Sequence, residues 1–294
     1  MSNLSTQPRH IVGRTKGYGT GLITRLMSPS DLGQQLKPFV FLDIFNAEGA
    51  GISAMGRMPI HPHSGIATVT VFTQGAMQYH DPMIGSGILE YGGVEWMQSG
   101  RGVWHGKELS AAPVSQIQGF QLWLALPKHL ELSDPVSRYI EATTMVQSGP
   151  AHIIVGQYEG KQSPVPAPQG INYLLVTLQP NEAWSYQPPA GHTVAWLAVA
   201  QGELLAEDKI STGEMVIFET GEQAITLRAT DQQKAVFVLG SAIPHPDELY
   251  LGNYSVHTSV QALKEGEQHI RELAKAMQTV GNRKTATGTV PVFR

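Results

Sequence analysis

Short apolar runs, cut every few residues by glycine or proline, leave this chain little room for anything but β-structure. Pro38-Phe39-Val40-Phe41-Leu42-Asp43-Ile44-Phe45 is apolar on both faces, as a strand between two layers would be. Thr68-Val69-Thr70-Val71-Phe72 stops at a Gln74-Gly75 turn, and the run 118–126 is ended by Pro127. A second series follows at 173–178, 194–200, 203–206, 214–218, 224–227 and 235–239, with turns such as Gln201-Gly202 and Thr212-Gly213 between its members. The strand–glycine–strand pattern around Gly75 returns around Gly202, which predicts two barrels of one kind. The 294 residues fit two domains at roughly 100–200 residues each. The expected fold is all-β, two jelly-roll barrels over 1–135 and 136–294, with 132–150 an irregular crossover.

One helix is expected, over 259–280, at the end of the second barrel. Thr258 is placed to cap it, with Gln261 three residues on. Val260, Leu263, Ile270, Leu273 and Met277 fall on one helical stripe, and Gly281 fits the stop. The tail 282–294 reads as a loose end or a strap.

Composition removes several classes of function. A formal net charge of −4 gives no electrostatic reason for contact with nucleic acid or an anionic membrane. No apolar run reaches membrane-spanning length, and no export signal is visible, so a cytoplasmic location is expected. With no cysteine, any metal must be held by histidine and carboxylate.

Such a set exists. His61 and His63 sit two apart, on one face if the segment is a strand. His105 closes the run Trp96-Met97-Gln98-Ser99-Gly100-Arg101-Gly102-Val103-Trp104-His105. If its strand pairs nearby, three imidazoles meet and leave coordination positions that small molecules can reach. Trp96 and Met97 are expected in the core, Trp104 in the core or a pocket wall, and His257 in a structural role. Glu95 and Arg101 are expected in surface or inter-strand salt bridges, and His80-Asp81 in a hydrogen-bonded turn. Gly17-Tyr18-Gly19-Thr20-Gly21 has no helix start behind it and does not make a nucleotide loop.

His61-Pro62-His63-Ser64-Gly65 with Thr68-Val69, and Trp96-Met97 through His105, resemble the paired motifs of the pirin family of bicupins. The likeness extends over roughly residues 8 to 280, more weakly in the second half. It implies two cupin barrels, with a non-haem metal in the first on His61, His63 and His105. Fe(II) is the first expectation, with Mn, Ni or Zn as alternatives. It also implies a quercetin-dioxygenase-like oxygenase acting on a flavonol-like or enol substrate; the alternative is a noncatalytic regulator, metal-responsive or metal-free, that binds a partner protein. The family's fourth ligand, a Glu two residues after the last histidine, is replaced by Lys107. A protonated lysine repels a divalent cation and cannot ligate it, which weighs against metal occupancy. Lys107 and Glu108 are therefore the residues expected to replace that carboxylate or to act beside the ligands, Glu108 only if Gly106 allows a bulge.

Overall fold

Alternation and turn chemistry set most of the strands, and tertiary pairing adds the rest. The computed structural model describes residues 8–19, 21–56, 59–81, 84–106 and 109–280. Expectations for Gly281 and for 282–294 fall outside them. Among the described residues strands dominate, and only the last helix, Val260–Val280, is longer than six residues. Among the described residues no helix is long and apolar enough to cross a membrane.

Two compact units interleave along the chain. One holds residues 27–144 and the segment from His245 onward. In its main sheet, strands Phe39–Glu48, Gln116–Ala125, Ile66–Gln74, Val94–Gln98 and Val136–Ile140 are successive antiparallel neighbours. Phe39 to Phe45 is buried on both faces, as its unbroken apolar run requires. A smaller sheet joins Leu109–Ala111, Ala76–Asp81 and Gly85–Glu90. Phe45, Phe72 and Ile117 of the main sheet share one core with Met77 and Leu89 of the smaller, so burial of apolar surface holds the two together.

One expectation needs correction here, and a second is made more exact. Val136–Ile140 lies within the stretch read as irregular; its half-exposed pattern carries little apolar signal, and pairing with Val94–Gln98 makes it a strand. His80 and Asp81 end a strand and lead into the expected hydrogen-bonded turn: His80 pairs with Ser86 across the ladder, its Nδ1 is hydrogen-bonded to Ser86 Oγ, and Asp81 Oδ1 accepts from Ile84 N–H at 3.1 Å.

The other unit comprises the N-terminal residues to 19, residues 24–26, and 145–244. Ile11–Thr15, Met215–Phe218, Val194–Gln201, Ala235–Ala242, Ile171–Leu178 and Ala151–Val155 are successive neighbours in its large sheet. Ala183–Tyr186, Ile225–Ala229, Leu204–Leu205 and Lys209–Ile210 form its smaller sheet. Leu174, Leu197, Leu227 and Phe237, each fully buried, belong to one core drawn from both sheets. The protein is all-β, two cupin domains with a C-terminal helix.

That helix is capped one residue later than expected, at Ser259, and starts at Val260. Ala262 N–H donates to Ser259 Oγ at 3.1 Å, the reach of an N-cap serine to the third helical residue, worth about 1 kcal/mol. Thr258 is engaged elsewhere: its N–H and its hydroxyl both donate to Glu131, each at 2.7 Å. Ile270 and Leu273 face inward as expected, but Val260 is exposed and Ala262 and Gly266 extend the buried stripe. Gly266 is forced by close approach, since a Cβ there would lie 2.6 Å from both Ser64 Oγ and His257 Nε2.

Candidate metal centre

The His-x-His spacing works because its segment is a strand. His61–His63 pairs antiparallel with Val103–His105, and His61 stands directly opposite His105. His61 and His63 share a face by alternation, and cross-strand pairing puts the third ring on it. Ring centroids are 4.7 Å apart for His61 and His105, 4.9 Å for His61 and His63, and 5.2 Å for His63 and His105. One nitrogen from each ring lies within 4.8 Å of the others.

The rings are oriented from behind. His61 Nδ1 donates to the Pro59 carbonyl at 3.1 Å, and His63 Nδ1 to the Tyr254 carbonyl at 3.4 Å. Both bonds place the lone pair on Nε2, as carbonyl anchors do for metal-ligating histidines. His63 Nε2 is buried and has no hydrogen-bond partner among the described residues. A buried imidazole nitrogen left so costs stability unless something takes its lone pair. The donor set therefore fits a divalent transition ion with positions left open, His61, His63 and His105 being the residues that would hold it.

Local packing keeps the triad in place. Gly106 has φ +129, and a Cβ there would lie 3.2 Å from both His61 Nδ1 and the Pro59 carbonyl oxygen. Trp123 meets the edge of His63 at 4.8 Å and stacks on Phe41 at 4.0 Å; nothing in the sequence assigned it to the site. Trp104 points the other way, its indole N–H donating to the Ile270 carbonyl of the helix at 3.0 Å, so it does not line the site. Trp96 and Met97 are core, as expected. Lys107 and Glu108 lie outside the described residues.

A cavity opens beside His61 and His105, walled by Phe45, Phe72, Met77 and Leu109. Glu95 also lines it, which corrects the salt-bridge expectation: its side chain is 5% exposed and faces inward. Val94–Gln98 is buried on both faces, so alternation alone did not show which side Glu95 takes. Arg101 does form a surface ion pair, with Asp134 at 3.1 Å. On the far side of the histidine strand, buried Ser64 lies 2.9 Å from both Ser255 Oγ and His257 Nε2. His257 Nδ1 in turn lies 3.2 Å from Glu131 Oε2.

Burial keeps the three imidazoles neutral. It holds His61 below its ordinary value, and holds His63 well below it, with His105 and His61 adding to the shift at His63. His105 is lowered from 6.5 to about 3, by burial first and by His61 second. In the unfolded chain these rings take up protons near pH 6.5, and in the metal-free folded protein only at lower pH. Their contribution is neutral above 6.5 and turns against folding as pH drops from there towards 3, by about 1.4 kcal/mol per pH unit for each unmatched proton. We expect the midpoint of thermal unfolding of metal-free protein to fall on acidification from about pH 7 to about 5, with a slope shallower by about one proton in His105→Gln. Equal slopes for the two proteins would show that His105 is not held neutral.

The pirin family model matches residues 22–124. A candidate quercetin 2,3-dioxygenase of Vibrio cholerae is 30% identical over 247 residues, spanning 80% of this chain and 84% of that protein. A pirin-like protein of Solanum lycopersicum is 33% identical over 215 residues, 69% of this chain and 70% of the relative. Among solved structures, a quercetin 2,3-dioxygenase from Acinetobacter baumannii superposes with a TM-score of 0.78 at 20% identity, over 90% of this chain and 98% of that one. A bacterial pirin of Escherichia coli in complex with nickel(II) gives 0.58 at 18% identity, over 80% and 98%. At these identities the superpositions speak for the fold.

Proposed function

The chain belongs to the pirin family, and from that premise we propose that it holds a divalent transition metal on His61, His63 and His105 and oxygenates a flavonol-like enol. The observation that carries this is the meeting of three imidazoles held neutral, His63 and His105 of them buried, at the edge of a cavity with aromatic walls. Iron(II) is the first choice, with manganese, nickel or zinc as alternatives; imidazole donors suit iron, nickel and zinc, and manganese, which prefers oxygen donors, less well. Nickel is the ion in the related bacterial pirin. Such an ion supplies Lewis acidity towards an enol hydroxyl and, where it is redox-active, chemistry with dioxygen.

The protein's own part is to orient and enclose. The Pro59 and Tyr254 carbonyls fix two rings with Nε2 forward, so little reorganisation is needed on binding. Phe45, Phe72, Met77 and Leu109 offer an apolar wall against which a planar aromatic substrate can rest. Held there, an enol hydroxyl is presented to the imidazole cluster, and the entropic part of the barrier is met by binding.

The test is oxygen consumption. Protein loaded separately with iron, manganese, nickel and cobalt is mixed with quercetin in an oxygen electrode, and uptake above the metal-only blank is expected with at least one ion. Blank-level uptake with all four overturns the oxygenase reading and leaves the metal-responsive regulator in its place.

A further inference from the structure

The wall of the metal cavity carries one polar row between two aromatic ones. Asp43 pairs with Gln121, Gln121 with Thr70, and Thr70 with Glu95, so four neighbouring strands contribute one residue each at matched register. All four side chains line the cavity, and Asp43, Thr70 and Glu95 are buried. Two residues along on one side, the matching row holds Phe41, Trp123, Thr68 and Met97, with Trp123 against His63. Two along on the other, Phe45 and Phe72 meet edge to face at 5.7 Å across Gly119. A buried carboxyl such as that of Glu95 costs free energy to the extent that it is left without polar partners. Here the row faces the cavity that opens beside His61 and His105.

We propose that this row is the substrate-recognition element of the cavity and that Glu95 takes the proton of an acidic enol or phenol hydroxyl bound there. The inference rests on the oxygenase reading for its substrate class. The substrate O–H bond breaks, its electron pair stays on oxygen as the enolate, and the proton passes to a Glu95 carboxylate oxygen; no other reactant is required. Burial pushes the Glu95 carboxyl above the ordinary carboxylate range, with the Thr70 hydroxyl opposing the shift. A carboxylate so placed is a stronger base than one in water and keeps the proton it accepts. Asp43 and Gln121, further along the row, are positioned for the remaining hydroxyls of a polyphenol. This assigns to Glu95 the carboxylate function that the Lys107 position does not supply.

The experiment reads ionisation and does not depend on turnover. Metal-free wild-type protein is titrated with quercetin at about pH 6, where the free flavonol is neutral, and the absorption of the bound ligand is recorded. The long-wavelength band of the flavonol anion is expected with wild-type protein. Glu95→Gln keeps the shape and the hydrogen-bonding reach of the side chain, so it is expected to bind quercetin with the neutral band. Glu95→Asp, which keeps the acid, should recover part of the anion band, and unfolding midpoints near wild type show that both variants are folded. In metal-loaded protein Glu95→Gln should retain its metal and lose about 100-fold in turnover. The same anion band in wild type and Glu95→Gln overturns the assignment, as does a neutral band in wild type; either result leaves the oxygenase reading to its own oxygen test. An anion band that requires Glu95, without oxygen uptake, upholds the assignment while the oxygenase reading falls.

Discussion

His63→Ala is expected to lower the affinity for nickel(II) or iron(II) by more than about 100-fold, since even the loss of an outer partner of a ligand costs roughly 10–100-fold. His63 is the sharpest place to remove a donor. It is 1% exposed, its Nδ1 is anchored on Tyr254, and its Nε2 finds no partner among the described residues. The change deletes a nitrogen that no other His, Asp or Glu of the cluster replaces among the described residues, and two imidazoles hold a divalent ion far less well than three. Competition titration against a chromophoric chelator measures the loss. The metal-free variant should stay folded, because the imidazole it loses was buried at a cost. Unchanged nickel affinity in His63→Ala would remove the triad from consideration as a metal site.

The second large effect is structural. Glu131→Ala should destabilise the protein by about 3–5 kcal/mol, because three buried donors lose one charged acceptor together and each costs roughly 1–3 kcal/mol when left without it. Burial holds His257 below its ordinary value, so these are hydrogen bonds to a carboxylate and not an ion pair. Glu131 is 2% exposed and receives three groups from the C-terminal segment: the Thr258 N–H, the Thr258 hydroxyl and His257 Nδ1. Truncation leaves all three buried without their acceptor and uncouples His257 from the place where it meets Ser64, next to His63. Glu131→Gln keeps one carbonyl acceptor and should lose less than half as much. Denaturant unfolding of the three proteins gives the comparison. A loss under about 1 kcal/mol for Glu131→Ala would mean that the segment is held by the packing of Ile270 and Leu273 alone.

Residue by residue, what could be read in the chain is uneven, and the unevenness has a physical cause. The strands Phe39–Glu48, Ile171–Leu178, Val194–Gln201 and Ala235–Ala242 were legible because their apolar runs are long and bounded by turn residues. Val136–Ile140 was not, since one paired edge and a mixed pattern decide it. The helix was placed by its stripe, but its cap was assigned to Thr258, because Thr258 and Ser259 are both good caps and only the position of Glu131 takes one of them away.

At the centre itself, the sequence alone determined that a His-x-His pair exists, that a third histidine follows within reach of a paired strand, and that no cysteine or fourth-position glutamate completes the set. The two-residue period of a strand makes the first of these a local fact. Only the tertiary structure decided that His105 stands opposite His61, that Glu95 turns into the cavity in line with Thr70, Gln121 and Asp43, and that Glu131 and His257 hold the C-terminal segment behind Ser64. Register between strands distant in the chain is set by the whole sheet, and a strand buried on both faces carries no alternation to show which way a carboxylate points.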